Sequence, residues 1–245
     1  MVFFLKIRRP PGFTLFPYPT LFRSPGVIGV FCRTYSIEEA ITEFLPDVYE
    51  PTAHPDRWTY SQGSTSGGLV LYDDKFAYSH HSTDPVGDQL TNAWDLVRIH
   101  LFGDQDVDVN PKTNINKYPS SKAMKAWARK LPEVHAALVK ASINSASEDF
   151  AEDPEADDSW TSELTLDNMD EIEPTAGNLE LIMLNDANLK ANFWTDVFTH
   201  RVFIKRDVPW RSVEHDKFWS DTDDAGLRVY IEQTYTISSR NKIGD

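Results

Sequence analysis

Cysteine is nearly missing from this 245-residue chain, where Cys32 stands alone. One thiol excludes an intramolecular disulfide framework and any all-cysteine zinc site, and it suits a reducing, cytoplasmic compartment. No apolar run approaches the ~20 residues that a membrane span requires, so no membrane partner is expected. Positive charge is scarce too: 24 lysines and arginines face 38 acids, a formal net charge of −14. That balance disfavours broad electrostatic attachment to a phosphate backbone. No G-x-x-x-x-G-K-[ST] phosphate loop occurs anywhere. Gly63-Ser64-Thr65-Ser66-Gly67-Gly68 is glycine-rich, but it lacks the lysine and runs into a strand, whereas phosphate cradling uses the N-terminus of a following helix. It reads as a tight turn.

With 40% hydrophobic and 25% charged residues, the chain has the composition of one or two globular domains. Ser36-Ile37-Glu38-Glu39 fits a capping box, and Ile37, Ala40, Ile41, Phe44 and Leu45 follow at helical spacing until Pro46. Leu69–Tyr72 and Phe76–Tyr78 are β-prone runs on either side of Asp73-Asp74-Lys75, which predicts a hairpin. Asn92–Ile99 returns to helical periodicity and closes before Gly103. Ser120 or Ser121 is the expected cap of a helix over 121–131, and a second helix is expected over 133–145. Glu148 to Asp158 holds seven acids in eleven residues, the pattern of a solvated linker. Beyond it, Thr175 opens a helix with Leu179, Ile182 and Met183 on one face, Phe193–Lys205 reads as a strand, and Asp221 caps a last helix carrying Leu227, Tyr230 and Ile231.

Candidate chemistry is thin. His80, His81 and Asp84 form the one cluster that suggests a metal site, and a metal-dependent hydrolase built on them is one functional reading. Neighbouring strand residues point to opposite faces, however, so two adjacent imidazoles do not easily share an ion. Zinc also takes about four ligands, and Cys32 is remote in sequence. The expectation is therefore no metal, with hydrogen-bonded structural histidines and a turn at Asp84-Pro85. Asp221-Thr222-Asp223-Asp224 is explained by helix capping and the helix dipole. No nucleophile–base pair stands at a convincing spacing, and the chain by itself reads as a non-enzyme without a cofactor. Its acidity leaves open a stand-alone module that binds a basic protein partner.

Residues 1–24 differ from everything after them. They hold Lys6, Arg8, Arg9 and Arg23 and no acid, and Pro10, Pro11, Pro17 and Pro19 interrupt every apolar run. The prolines and the lack of a small-residue cleavage site argue against a signal peptide or an amphipathic anchor. Thr14–Ser24, TLFPYPTLFRS, resembles a translated short-read sequencing adapter, from which only Pro19 departs. The stretch is accordingly expected to be an artefact that packs poorly on the remainder, with the true reading frame extending further upstream.

Three strings carry a family resemblance: PGVIGVFCRTYSIEEAITEFLPDVYEP, RWTYSQGSTSGGLVLYDDKFAYSHHSTDP and NAWDLVRIHLFGD. In this order they resemble the central region of phage and prophage proteins of the virulence-associated E (VapE) group, which are primase–helicase-like replication proteins. Pro209-Trp210 followed by WSDTDDAGLRVYIEQTYTISSRNKI resembles a second string of the group, W-x-D-x-D-D-A-x-L-R-x-Y-L-E, with Ile231 in place of leucine. The resemblance implies a primase-like domain before this region and a P-loop ATPase after it. ATP and Mg would serve those domains, DNA would be the partner of the full-length protein, and no catalytic residue carries over to this chain.

The order helix, WTYSQGS, hairpin, SHHST, NAWDLVRI is also similar to the zinc ribbon of bacterial primases. Ser61, Ser64, Ser79 and Ser82 stand where that ribbon has metal-binding thiols. Hydroxyls do not replace thiolates on zinc, so a metal-free module packed around Trp58, Tyr60, Phe76, Tyr78 and Trp94 is implied. Contacts to nucleic acid would fall to Arg33, Arg57, Lys75 and Arg98. The whole reads as an α+β chain: an artefactual 1–24, a zinc-ribbon-like hairpin module over 25–105, a helical connector over 106–147, an acidic linker over 148–173, and a small α/β unit over 174–245 that begins the helicase-type region.

Overall fold

Two capping boxes frame the described part of the chain. At the first, Ser36 Oγ accepts the Glu39 N–H at 3.2 Å, and the Glu39 carboxylate accepts the Ser36 N–H at 2.9 Å. That exchange satisfies two of the donors a helix start leaves free. Helix α2 (Ile37–Phe44) follows, preceded by α1 (Val27–Thr34). A computed structural model describes residues 21–24, 26–110, 112–144 and 159–237.

After α2 the chain runs through a five-stranded antiparallel meander in sequence order: β1 (Tyr49–Pro51), β2 (Arg57–Tyr60), β3 (Leu69–Tyr72), β4 (Phe76–Ser79) and β5 (Leu90–Asn92). The β3–β4 hairpin turns where expected. Asp73 and Asp74 both adopt left-handed backbone, φ 52° and 50°, the conformation that tight hairpins need. Asp74 also receives the N–H groups of Ile37 and Glu38, which ties the hairpin tip to the start of α2. Asn92 then caps α3 (Ala93–Phe102) by accepting the Asp95 N–H at 2.8 Å.

Helices α4 (Pro119–Ala128) and α5 (Pro132–Asn144) complete the first unit. Pro119 opens α4, so Ser120 and Ser121 lie inside the helix and not at its cap. Proline suits that first position because its missing N–H would have no helical partner. Met124, Ala128, Val134 and Leu138 are buried in the same core as Phe31, Ile41, Leu69 and Trp94. Residues expected as a helical connector thus form part of the first core. Of the aromatics expected inside, Trp58, Tyr60, Tyr78 and Trp94 are buried; Phe76 is half-buried at the start of β4, between β3 and β5.

The opening stretch departs from expectation in its last four residues, while residues 1–20 lie outside those described. Leu21 and Phe22 pack against the first core, and Phe22 stands edge-on to Phe76 at 5.9 Å. Arg33 holds the segment by donating Nη1 to the carbonyls of Phe22 (2.8 Å) and Ser24 (2.7 Å). The cause is local: Phe76 offers a ring for Phe22 to pack on, and Arg33 supplies donors to the backbone carbonyls.

The acid-rich run that motivated the linker lies outside the described residues. From Ser159 onward the remainder of the expected linker is packed. Leu164 and Ile172 are fully buried, and Leu166 bridges Ile172. After Asp158 the acids are interleaved with Trp160, Leu164, Leu166 and Ile172, which supply apolar surface. A second core gathers Val139 from α5 with Leu164, Ile182, Leu189, Ile231 and Tyr235.

Helix α6 (Ala176–Asn185) starts at Thr175, which accepts the Asn178 N–H. Only Ile182 of the predicted stripe is buried; Leu179 is exposed. Asn178 takes the inward place because its amide serves Thr165 and Glu173 backbone groups. The single strand expected over 193–205 is a hairpin, β6 (Phe193–Asp196) and β7 (Arg201–Ile204), with β8 (Lys217–Phe218) beside it. Asp196 breaks the run by accepting the Phe198 N–H (2.9 Å) and the Thr199 hydroxyl (2.7 Å), a turn built by one side chain. Helix α7 (Asp221–Tyr235) closes the described chain. Ser220, one residue before the expected Asp221, is its cap, in a second capping box with Asp223.

Candidate functional site

Asp84 lies at the centre of the most concentrated buried polar cluster. The carboxylate is 5% exposed and accepts from four directions. Ser79 Oγ donates to Oδ2 at 2.7 Å and the Tyr49 hydroxyl to the same oxygen at 2.9 Å. The Val86 N–H reaches Oδ1 at 3.0 Å, and His100 Nε2 lies 3.3 Å from that oxygen. His100 Nε2 also meets the Tyr49 hydroxyl at 2.8 Å. Four segments therefore meet here: β1 through Tyr49, β4 through Ser79, the following turn through Asp84, and α3 through His100.

The protons in this cluster are placed by its electrostatics. Burial by itself would raise the Asp84 carboxyl, but the hydrogen bonds from His100, Ser79, Val86 and Tyr49 outweigh it and hold the group below the ordinary range. Tyr49 moves the other way, raised by burial and then by the Asp84 charge. Tyr60 is raised by the same two causes. A phenol pushed up beside a carboxylate pushed down keeps its proton, the reverse of an activated nucleophile. Tyr49 is also 1% exposed. The arrangement joins strands and helix, and it offers no reacting group to a substrate.

His81 occupies a neighbouring slot of different construction. Its ring is 5% exposed and fits between two glycines of the turn that precedes β3. A Cβ at Gly63 would come within 2.7 Å of Nδ1, and one at Gly68 within 2.3 Å of Nε2. Thr65 Oγ1 lies 3.3 Å from Nδ1, while Nε2 has no hydrogen-bond partner. His80 is exposed and sits edge-on to Tyr78 at 4.8 Å. His80 and His81 follow the end of β4, one exposed and the other buried, and Asp84 is committed to the cluster behind. Among the described residues, no group of three His, Cys, Asp or Glu is arranged to hold a metal ion.

Ser61, Ser64, Ser79 and Ser82 do not converge as a ligand set. Ser79 is buried on Asp84, Ser61 donates to the Asp47 carbonyl, and Ser64 and Ser82 are exposed. With hydroxyls at these positions and an imidazole filling the space between the turns, the residues present do not fit zinc.

Of the four basic residues expected to face nucleic acid, Arg98 is withdrawn from that role. It is 4% exposed and fixed by Asp95 (3.1 Å), Asp106 (3.6 Å) and the Ser120 hydroxyl (2.8 Å). The i,i+3 spacing to Asp95 and the remote Asp106 turn it inward to bridge α3 and α4. Arg33, Arg57 and Lys75 are exposed. Arg33 and Arg57 each donate to a backbone carbonyl, and Lys75 lies 5.7 Å from the Phe22 ring centre.

Tyr49 and His100 are the cluster members that sequence reading did not single out. His100 carried a signal, since it lies one helical turn beyond Leu96 on the buried stripe of α3. In the second unit, the tryptophans of the PW and W-x-D-x-D-D strings bind that unit's own acids. Trp210 Nε1 donates to Asp223 at 3.0 Å and Trp219 Nε1 to Asp224 at 2.7 Å. Asp223 is fully buried. Burial would raise its carboxyl, but hydrogen bonds from Trp210 and Ser220 and the Arg211 charge hold it low. Cys32 is buried against Asn92, and burial pushes its thiol up to about 12, so it is not a reactive thiolate.

No protein-family model matches this chain, and no curated protein matches it. Among the described residues, no helix is long and apolar enough to cross a membrane.

Proposed function

We propose that this chain is a non-catalytic central segment of a phage or prophage DNA-replication protein of the VapE type. Its first unit serves as a metal-free counterpart of a primase zinc ribbon, joining primase-like and helicase-like domains of a longer protein. The observation that carries this reading is the His81 ring, seated between Gly63 and Gly68. In a ribbon the two turns are clamped by an ion. Here an aromatic side chain fills that position, and the Asp84 cluster ties the second turn to β1 and α3.

The motif residues of the second unit support the same conclusion. Trp210, Trp219, Asp223, Asp224 and Tyr230 spend their polar groups on one another or on Ser220, Arg211, Asp186 and Asn188. They hold an element in shape and do not face a substrate. The ATP and Mg of such a protein belong to its other domains. Contact with template DNA in the first unit falls to Arg33, Arg57 and Lys75.

The decisive experiment combines metal analysis with thermal unfolding. The purified chain is expected to contain no stoichiometric zinc, to keep its unfolding midpoint in excess chelator, and to hydrolyse no ATP. A chelator-induced drop in the midpoint, or turnover abolished by a substitution in the first unit, overturns the reading.

A further inference from the structure

The three-stranded sheet shows an aromatic row that its own core does not use. Register places Trp194 opposite Phe203, and Phe203 opposite Phe218, so one ring from each strand lies on the same face. Trp194 and Phe203 are stacked, with centroids 4.5 Å apart and planes 13° from parallel. Phe203 and Phe218 are 4.6 Å apart. The other face, through Phe193 and Ile204, packs on Trp219, Val208 and Val213. Phe218 is 51% exposed and Trp194 37%, and Trp194 is held in place by its indole N–H bond to Asp216 at 3.0 Å.

The charge around the row contrasts with the rest of the molecule. Strand alternation puts Arg201 on the aromatic face with Phe203, and Lys205 follows at the end of β7 with its ammonium 3.4 Å from the Ala191 carbonyl; both are exposed. The Arg201 guanidinium already lies 4.8 Å over the Phe218 ring. Residues 190–217 carry six lysines and arginines and four acids, within a chain of net charge −14. A second copy would set these cations against each other and bring two strongly acidic bodies together. A polyanion with flat apolar faces meets both features.

We propose that this face binds single-stranded nucleic acid, with two or three bases stacking on Trp194, Phe203 and Phe218 and phosphates taken by Arg201 and Lys205. Stacking is open to unpaired bases because every base has a π-face; a duplex keeps those faces internal. The acidic chain cannot rely on phosphate attraction alone, so stacking supplies most of the affinity and the salt dependence is shallow. This site lies in the second unit and does not depend on the family reading, because metal analysis of the first unit leaves it untouched.

The test titrates labelled oligodeoxythymidylate, and a duplex of equal length, with the full chain, following anisotropy and tryptophan fluorescence, with the Trp194→Ala chain as the reference that isolates Trp194 among the seven tryptophans. The single strand is expected to bind more tightly and to quench the indole. Phe218→Ala and Trp194→Ala should each weaken binding about ten- to a hundredfold. Lys205→Ala should lower the slope of log affinity against log salt by about 0.7. Circular dichroism checks each variant's fold, and Phe218→Leu, which keeps bulk without the ring, replaces the alanine variant if that one unfolds. Equal binding of duplex, no binding of either, or unchanged affinity in the folded ring variants overturns the proposal. Self-association abolished by the same substitutions would assign the face to a second copy, and overturn it equally.

Discussion

Replacing Asp84 by alanine tests whether the buried cluster holds the first unit together. The side chain accepts four hydrogen bonds, but its neighbours would not suffer equally. Tyr49 keeps His100 at 2.8 Å. The Val86 N–H and the Ser79 hydroxyl proton are left without an acceptor, in surroundings where both residues are fully buried. A stranded buried donor costs about 1–3 kcal/mol, and the small cavity adds to that, so Asp84→Ala should lose about 3–5 kcal/mol. For a chain of this length the unfolding midpoint then falls by about 10 °C. Asp84→Asn keeps an acceptor and the volume while losing the charge, and should fall between alanine and wild type.

The pH dependence adds a second, independent reading. The folded carboxyl of Asp84 lies below its ordinary value. Its stabilisation is therefore complete above the unfolded value of about 3.9 and is lost as pH falls through the lower folded one. Scanning calorimetry from neutral to acid pH should show the gap between wild type and Asp84→Asn close below about pH 4. Asp223 is depressed in the same direction, so all variants share a common acid limb, and only the difference reports on Asp84. An alanine variant within about 1 kcal/mol of wild type at neutral pH, or a gap that persists into strong acid, refutes the reasoning.

Trp94→Ala should destabilise the first unit by about 3–5 kcal/mol in chemical denaturation, because Trp94 is 3% exposed and packs edge-on against Phe31; a loss under about 1 kcal/mol would place it at the surface. Gly68→Ala would set a Cβ 2.3 Å from His81 Nε2, and should cost about 1–3 kcal/mol by displacing the ring; a neutral result would mean the ring is not clasped. The two cores should unfold in one calorimetric transition, and two resolved peaks would show that α5 does not couple them.

What could be read from the sequence was what neighbouring residues decide. The Ser36 box, the Asp73-Asp74 hairpin and the helix start at Thr175 depend on groups within a few positions of one another, so residue type and spacing were enough. The Asp84 cluster was half legible. Asp84 and His81 stood out as polar residues in a strand region, but Tyr49 and His100 lie 51 positions apart, and no local pattern pairs them. The same distance effect misassigned Arg98, whose cationic head looked solvent-directed until Asp106 and Ser120 were brought beside it. At Asp196 a short-range signal was overlooked: an aspartate before Val197-Phe198-Thr199 makes a turn by accepting from the two residues that follow Val197. Periodicity alone read that stretch as continuous strand.

The two cores meet in α5. Val134 and Leu138 belong to the first core and Val139 to the second, so adjacent residues of one helix enter different interiors. On a 3.6-residue helix that requires an apolar surface too wide for a single stripe. Polar contacts follow the same route. Arg129 holds Asp170 at 2.6 Å, Asp170 in turn accepts the Val27 N–H, and His135 Nε2 meets the Leu164 carbonyl at 2.9 Å. The units are therefore joined by the packing of α5.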